Sequence, residues 1–263
     1  MNQKAISEWI QADKAYLVPI GDIHLGDRGF TRTSMAKLRG YIDWIRDEPL
    51  ARCILMGDIF NTATRDSATP PFQRSGLKDE MEQAIALFNP IKKKILGAID
   101  GNHEDRLSDH VDYSPTIPLC HALGVKYLGY SGIFKIGVGV TKRNVKPGKT
   151  ARVTYVIYAH HTTGGGNTMG GRLNRVAKLR DIVIDADIYV GSHNHGLISA
   201  PVEGYAVDRR SGNVLRFRQY LIDCGGYLDW KDTYSERCMY APLKIGSPRI
   251  RLDGKTKDVK VTL

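Results

Sequence analysis

Residues 15–27 read AYLVPIGDIHLGD. The run from Ala15 to Ile20 is apolar throughout and stops at Gly21, the pattern of a strand buried on both faces. Two side chains with metal-binding chemistry, Asp22 and His24, follow at once. The same layout recurs in ARCILMGDIF (51–60), which runs into Gly57 and Asp58, and in KILGAIDGNHE (94–104), which ends on Gly101, Asn102 and His103. Between these strands lie helical periods. In TRTSMAKLRGYIDWIRDEP (31–49) the apolar residues fall at 35, 38, 41/42 and 45, with Thr or Ser as N-cap and Pro49 as a stop. In GLKDEMEQAIALFNPIKKK (76–94) they fall at 77, 81, 84/85 and 88, and Asn89-Pro90 ends or kinks the helix. Strand, helix, strand, helix, strand argues for a parallel α/β sheet.

The second half changes character. VKYLGYSGIFKIGVGV (125–140), ARVTYVIYAHH (151–161), ADIYVGSHNHG (186–196), LISAPVEGYAV (197–207) and VLRFRQYLIDCGG (214–226) read as strands joined by short turns. Only GGRLNRVAKLRDIV (170–183) reads as a helix. TKRNVKPGKT (141–150) is a basic loop, and RIRLDGKTKDVKVTL (249–263) a hairpin around Asp253-Gly254. No repeat or linker divides the chain, so residues 1–263 are expected to form one domain with two sheets.

Composition sets limits. The chain has 263 residues, 42% hydrophobic and 25% charged, which is ordinary for a globular protein. No apolar run is long enough to span a bilayer, and the first residues lack the layout of a signal peptide; a cytoplasmic location is expected, with no membrane partner. Cys53, Cys120, Cys224 and Cys238 have neither CxxC nor zinc-ribbon spacing and are expected as reduced thiols. The net charge of +10 favours an anionic partner.

The donors collect where strands end. Asp22, His24, Asp58, Asn102, His103, the pair His160 and His161, and the pair His193 and His195 all sit at such positions, where α/β proteins gather their functional groups. Singly, each has a plain explanation as a turn residue, helix cap or core histidine. Together they form a mixed oxygen and nitrogen set that suits Mn, Fe, Zn, Co or Ni rather than calcium. They are too many for one ion. Two ions about 3.5–4 Å apart can share them, clamp a phosphoryl group and generate a hydroxide nucleophile at neutral pH.

The ordered blocks D-x-H, GD, GNHE, a histidine after a strand, and GxHxH resemble the calcineurin-like metallophosphoesterases. The resemblance runs from Asp22 to His195, and departs from the usual final GHTH in reading GSHNHG. It implies a two-sheet β-sandwich flanked by helices, a four-layer α/β/β/α fold, holding two divalent ions, with manganese expected. One ion would take Asp22, His24 and His195. The other would take Asn102, His193 and His160, with His161 as the alternative, and Asp58 would bridge the two. His103, not a ligand in this reading, would protonate the leaving alkoxide or stabilise charge on the phosphorus oxygens, oriented by Asp66 or Glu104. Arg106, Arg65 and Arg28 are the candidate substrate-binding arginines, each with a solvated surface arginine as the bland reading.

Two further stretches stay open. HHTTGGGNTMGGRLNR (160–175) matches no nucleotide-binding motif; it is a phosphate cradle, a flap that brings Arg172 and Arg175 to a substrate, or a plain surface loop. Tyr227, Trp230 and Tyr234 either stack on a base or belong to the core. The expected activity is hydrolysis of phosphodiester bonds, with nucleic acid as the expected substrate. Small nucleotides or phosphoproteins are the alternative substrates, and a non-catalytic binding scaffold is the alternative of another class.

Overall fold

The structure is a computed structural model and describes residues 4–64, 73–139, 152–164 and 166–263. It is built around two sheets. The first has five strands in the order β11-β10-β2-β3-β4: β2 (Lys14–Ile20), β3 (Ala51–Leu55), β4 (Ile95–Ala98), β10 (Arg249–Asp253) and β11 (Val259–Thr262). The second has six in the order β1-β5-β6-β7-β9-β8: β1 (Ile6–Ile10), β5 (Ser131–Val138), β6 (Val153–His160), β7 (Ile188–Gly191), β8 (Leu197–Val207) and β9 (Val214–Cys224). β2, β3 and β4 run parallel, as the alternation of strands and helices implied.

Side-chain parity sorts the strands into layers. In β2, Ala15 and Leu17 face the other sheet while Val18 and Ile20 face helices; in β3, Ile54 faces the other sheet while Cys53 and Leu55 face helices. In β6, Tyr155, Ile157 and Ala159 face the first sheet, and Tyr158 packs on the far side. Successive side chains point to opposite faces of a strand, so every second residue enters the same layer. The result is helices, sheet, sheet, helix, with an inter-sheet core that includes Leu17, Ile54, Ile136, Ile157, Val190 and Ile222.

The helices form for the reasons the sequence suggested. In α1 (Arg32–Asp47), Thr31 caps the first turn by accepting from Ser34 N–H at 3.3 Å, and Leu38, Tyr41, Ile42 and Ile45 are buried. α2 (Leu77–Phe88) buries Ala84, Leu87 and Phe88 and gives way at Asn89-Pro90 to a 3-10 turn. α5 (Met169–Ala177) covers the second sheet through Val176. Among the elements that were not legible are β1, α3 (Asn102–Val111) and α4 (Thr116–Leu123). The sequence also read 125–130 as strand, whereas β5 starts only at Ser131. Among the described residues, no helix is long and apolar enough to cross a membrane.

One buried phenol ties the terminal hairpin to the second sheet. Tyr155 Oη lies 2.8, 3.1 and 2.9 Å from the carbonyl oxygens of Asp253, Thr256 and Asp258, and accepts from Asp258 N–H at 3.0 Å. Tyr155→Phe removes these bonds without emptying the ring's place. The expected cost is about 1–2 kcal/mol in urea unfolding, set mainly by the backbone groups left unpaired.

Candidate metal centre

The loops that follow β2, β3, β4, β6 and β7 meet at one end of the sandwich. Two close approaches fix them. A Cβ on Gly101 would lie 2.2 Å from Asp58 Oδ1, and one on Gly57 would lie 2.5 Å from Gly101 N, so no larger residue fits either position as built. Glu104, fully buried, reaches back to both loops: Oε2 accepts N–H of Asp58 and Gly101 at 2.8 Å, and Oε1 accepts N–H of Ile59 at 2.8 Å and Phe60 at 3.0 Å. The bond to Gly101 is the returning half of a capping box, and it starts α3. Glu104 therefore orients the backbone around Asp58, not the ring of His103. Asp22, His24, Asp58, His193 and His195 all have φ between 49° and 79°. Such left-handed residues cost on the order of 1 kcal/mol or more each and collect where surrounding structure enforces a functional geometry.

Among the described residues the donors converge in two outer sets, with a third grouping of His24, Asp58 and His103 between them. Asp22, His24 and His195 form one: His24 Nε2 lies 3.3 Å from His195 Nε2, and His195 Nε2 lies 3.6 Å from Asp22 Oδ1. Asp58, His161 and His193 form the other, joined by Asn102, whose Oδ1 lies 3.2 Å from His161 Nε2 and 2.7 Å from His193 Nδ1. Asp58 stands between them, its Oδ2 3.7 Å from His24 Nε2 and 3.3 Å from His161 Nε2. Ligands held about 2.0–2.2 Å from one ion lie roughly 2.8–3.6 Å apart at octahedral to tetrahedral angles, and the spacings here fall in or beside that range, which suits two shared ions.

His161, and not His160, reaches this cluster. The expectation of His160 is corrected by strand parity. Tyr155, Ile157 and Ala159 point toward the first sheet, and His161 continues that series. His160 falls on the other face, half-buried, with its ring 6.3 Å from that of Tyr158. His161 Nδ1–H donates to Met56 O at 2.8 Å, and Ser192 Oγ lies 2.8 Å from the same nitrogen, which leaves Nε2 turned to the cluster. Ser192 is thus a support for the ligand set.

Within the cluster, burial and the neighbouring side chains set each group's charge. Burial raises the Asp22 carboxyl to about 8, against the opposing pull of His161. Burial alone would raise Asp58 too, but the facing imidazoles, His161 and His103 foremost, hold it well below the usual carboxylate range. Burial would neutralise His161, yet Asp58 pushes it up to about 10. Burial lowers His195 to about 3. Metal is bound by neutral imidazole and ionised carboxylate, so a dication would take the place of the protons that Asp22 and His161 hold, and its binding would release them.

A cleft of about 340 Å³ opens beside the cluster, lined among others by Asp58, Asn102, His103, Arg106, Arg172 and Trp230. His103 Nδ1–H donates to Asn61 O at 2.7 Å, and Arg106 Nη2 donates to His103 Nε2 at 2.8 Å. Burial lowers the His103 pKa against the pull of Asp58, and the Arg106 charge lowers it further. Of the other arginines named from sequence, Arg28 is exposed and is not among the cleft residues, because the chain turns Asp27 inward to accept Gly29 N–H at 2.6 Å. Arg65 and Asp66 lie outside the described residues, as does 141–150. Arg172, from the glycine-rich stretch, lines the cleft; Tyr227 belongs to the core, while Trp230 and Tyr234 line the cleft. Nothing in the polar sequence around Arg172 distinguished it from Arg175.

No protein-family model matches the chain, and no curated protein matches it. Among solved structures it is similar to the NAD nucleotidase (NadN) of Haemophilus influenzae, at 11% identity and a TM-score of 0.41, over 97% of this chain and 50% of that one. The chain spans about half the length of that protein.

Elemental analysis of protein loaded with Mn²⁺ and freed of excess is expected to find two ions per chain. His161→Ala should lose about one of them and His160→Ala neither, since only His161 joins the donor set. Gly101→Ala should lower both metal content and thermal stability, because its methyl group displaces the Asp58 carboxylate. Full metal content in His161→Ala would count against the second set.

Proposed function

We propose that the protein is a metal-dependent phosphoesterase that hydrolyses phosphodiester bonds, with nucleic acid or its fragments as substrate. The observation that carries this reading is the convergence of donors from five loops on either side of the single oxygen Asp58 Oδ2. Asp22, His24, His195 and Asp58 would hold one divalent ion; Asp58, Asn102, His161 and His193 would hold the other. Mn suits the donor set, as do Fe, Zn, Ni and Co. Such a pair supplies Lewis acidity to the phosphoryl oxygens and an ionised water at neutral pH.

The chain's own groups do the positioning. Asp58 sets the separation of the two halves, and its own place is set by His103 N–H, which donates to Oδ1 at 2.9 Å. His103, with its proton on Nδ1 facing Asn61 O, keeps Nε2 as acceptor for Arg106. The cationic donor beside the cluster is therefore the Arg106 guanidinium. Its role is to bind phosphoryl oxygens and offset their growing charge, which is the main demand of phosphoryl transfer. His103 orients that guanidinium. The net charge of +10 and the basic side chains Arg106, Arg172 and Lys244 along the cleft support an anionic substrate.

With Mn²⁺ the protein should hydrolyse bis(p-nitrophenyl) phosphate. Asp58→Asn should reduce kcat by about a hundredfold or more, a loss typical of removing a key electrostatic group; retained activity would remove Asp58 from the proposal. Arg106→Ala should lower kcat/KM while metal content stays at two. Cleavage of a DNA or RNA strand should weaken steeply as salt rises, because several phosphates are contacted at once.

A further inference from the structure

The wall of the cleft that faces the donor cluster is one stretch of chain. Residues from Gly226 to Ile245 supply it, Trp230, Tyr234, Tyr240 and Leu243 among them. The stretch is pinched at its neck, where Gly246 N–H donates to Gly226 O at 3.0 Å and the two glycines form an antiparallel bridge. That neck abuts the cluster: a Cβ on Gly226 would lie 2.9 Å from His195 Nδ1. The loop holds its own shape. Trp230 Nε1–H donates to Tyr240 O, Thr233 Oγ1 donates to Trp230 O at 2.7 Å, and the Tyr234 and Tyr240 rings meet edge to face at 6.1 Å. With its N–H satisfied inside the loop, the half-buried Trp230 ring offers the cleft a flat apolar surface.

A second observation comes from another element. Arg172, in the first turn of α5, lines the same cleft and is 7% exposed, and its Nε is buried without a hydrogen-bond partner. The buried Asp223 carboxylate lies beside Arg172 with both oxygens also without a hydrogen-bond partner, and the Arg172 charge acts on it; the guanidinium that lines the cleft is therefore not matched by a full ion pair, and an anionic oxygen there would meet it. The cleft thus combines a donor cluster, a guanidinium and an aromatic surface.

We propose that this cleft is a nucleotide site: Trp230 and Tyr234 take an unpaired base, and the Arg172 guanidinium takes a non-bridging oxygen of the phosphate presented to the cluster. The proposal rests on the phosphodiesterase reading and narrows its substrate to nucleotides and single-stranded ends. A volume of about 340 Å³ is at the scale of a small ligand, not of a duplex groove. Stacking on a side chain needs a free base face, which a duplex offers only after its base is unpaired and turned out.

The test is calorimetric titration of the Mn²⁺-loaded protein with thymidine 5′-monophosphate and with methyl phosphate. Both carry the same phosphate group; only the first carries a base. The nucleotide is expected to bind about tenfold or more tightly, in line with one stacked base. Trp230→Leu should bring the ratio close to one, and Arg172→Gln should weaken both ligands. Tyr234→Leu provides the same comparison should thermal melting show Trp230→Leu unfolded. Equal affinities in the wild type, or an unchanged ratio in a folded wall variant, would overturn the base site. A labelled single strand should be cut faster than a blunt duplex of the same sequence; equal rates would overturn the preference for unpaired bases. Absence of turnover of bis(p-nitrophenyl) phosphate by protein holding two ions would instead overturn the phosphoesterase reading, whatever the titration gave.

Discussion

Glu104 accepts four backbone N–H groups, from Asp58, Ile59, Phe60 and Gly101, and so binds the ends of two neighbouring parallel strands into one rigid corner. Removed from water, a carboxylate needs such donors, and the buried N–H groups of two tight turns need such an acceptor. Everything at the site follows from that corner. It holds Asp58 where Oδ2 faces both histidine sets, and it starts the helix that carries His103 and Arg106. It also accounts for the two glycines: with the loops drawn this close, a Cβ at 57 or 101 would collide with the opposite backbone or with Asp58 itself.

The site is a concentration of unfavourable terms held by a favourable frame. Five donor residues adopt left-handed backbone, and carboxylates and imidazoles are buried together. The frame is the inter-sheet core, where wholly buried Leu17, Ile54, Ile157 and Ile222 come from both sheets. Burial of each such side chain is worth about 1.5–3 kcal/mol. Strands that end against this core cannot relax their final turns without opening it. That is why a dense group of polar side chains can persist at the edge of the sandwich.

Much of this was legible in the chain because each donor follows an apolar strand and a glycine. Blocks 15–24, 51–58 and 94–103 carry that order in plain form, and the helical periods between them argue for a parallel arrangement. α3 was not legible. Its sequence, NHEDRLSDHV, has no apolar stripe, and the residues it buries are His103 and Glu104, which enter the site and the corner rather than the core. β1 was missed for a related reason: ISEWI is a short edge strand recognised only once β5 lies beside it. The cleft's aromatic wall and Arg172 were visible as residue types, but their shared facing depends on the closed neck at Gly226 and Gly246.

By itself the sequence determined the two-sheet α/β plan and the positions where metal-binding chemistry would gather, because hydrophobic runs and glycine turns are local signals. Only the tertiary structure decided between His160 and His161. One face of β6 is buried against the first sheet, and the other is partly covered, Tyr158 buried and Val156 half-buried beneath α5, so apolar residues fall on both sides and the alternation is weak. Which of two adjacent histidines points inward depends on where the other sheet lies, and that is a property of the packing and not of the strand.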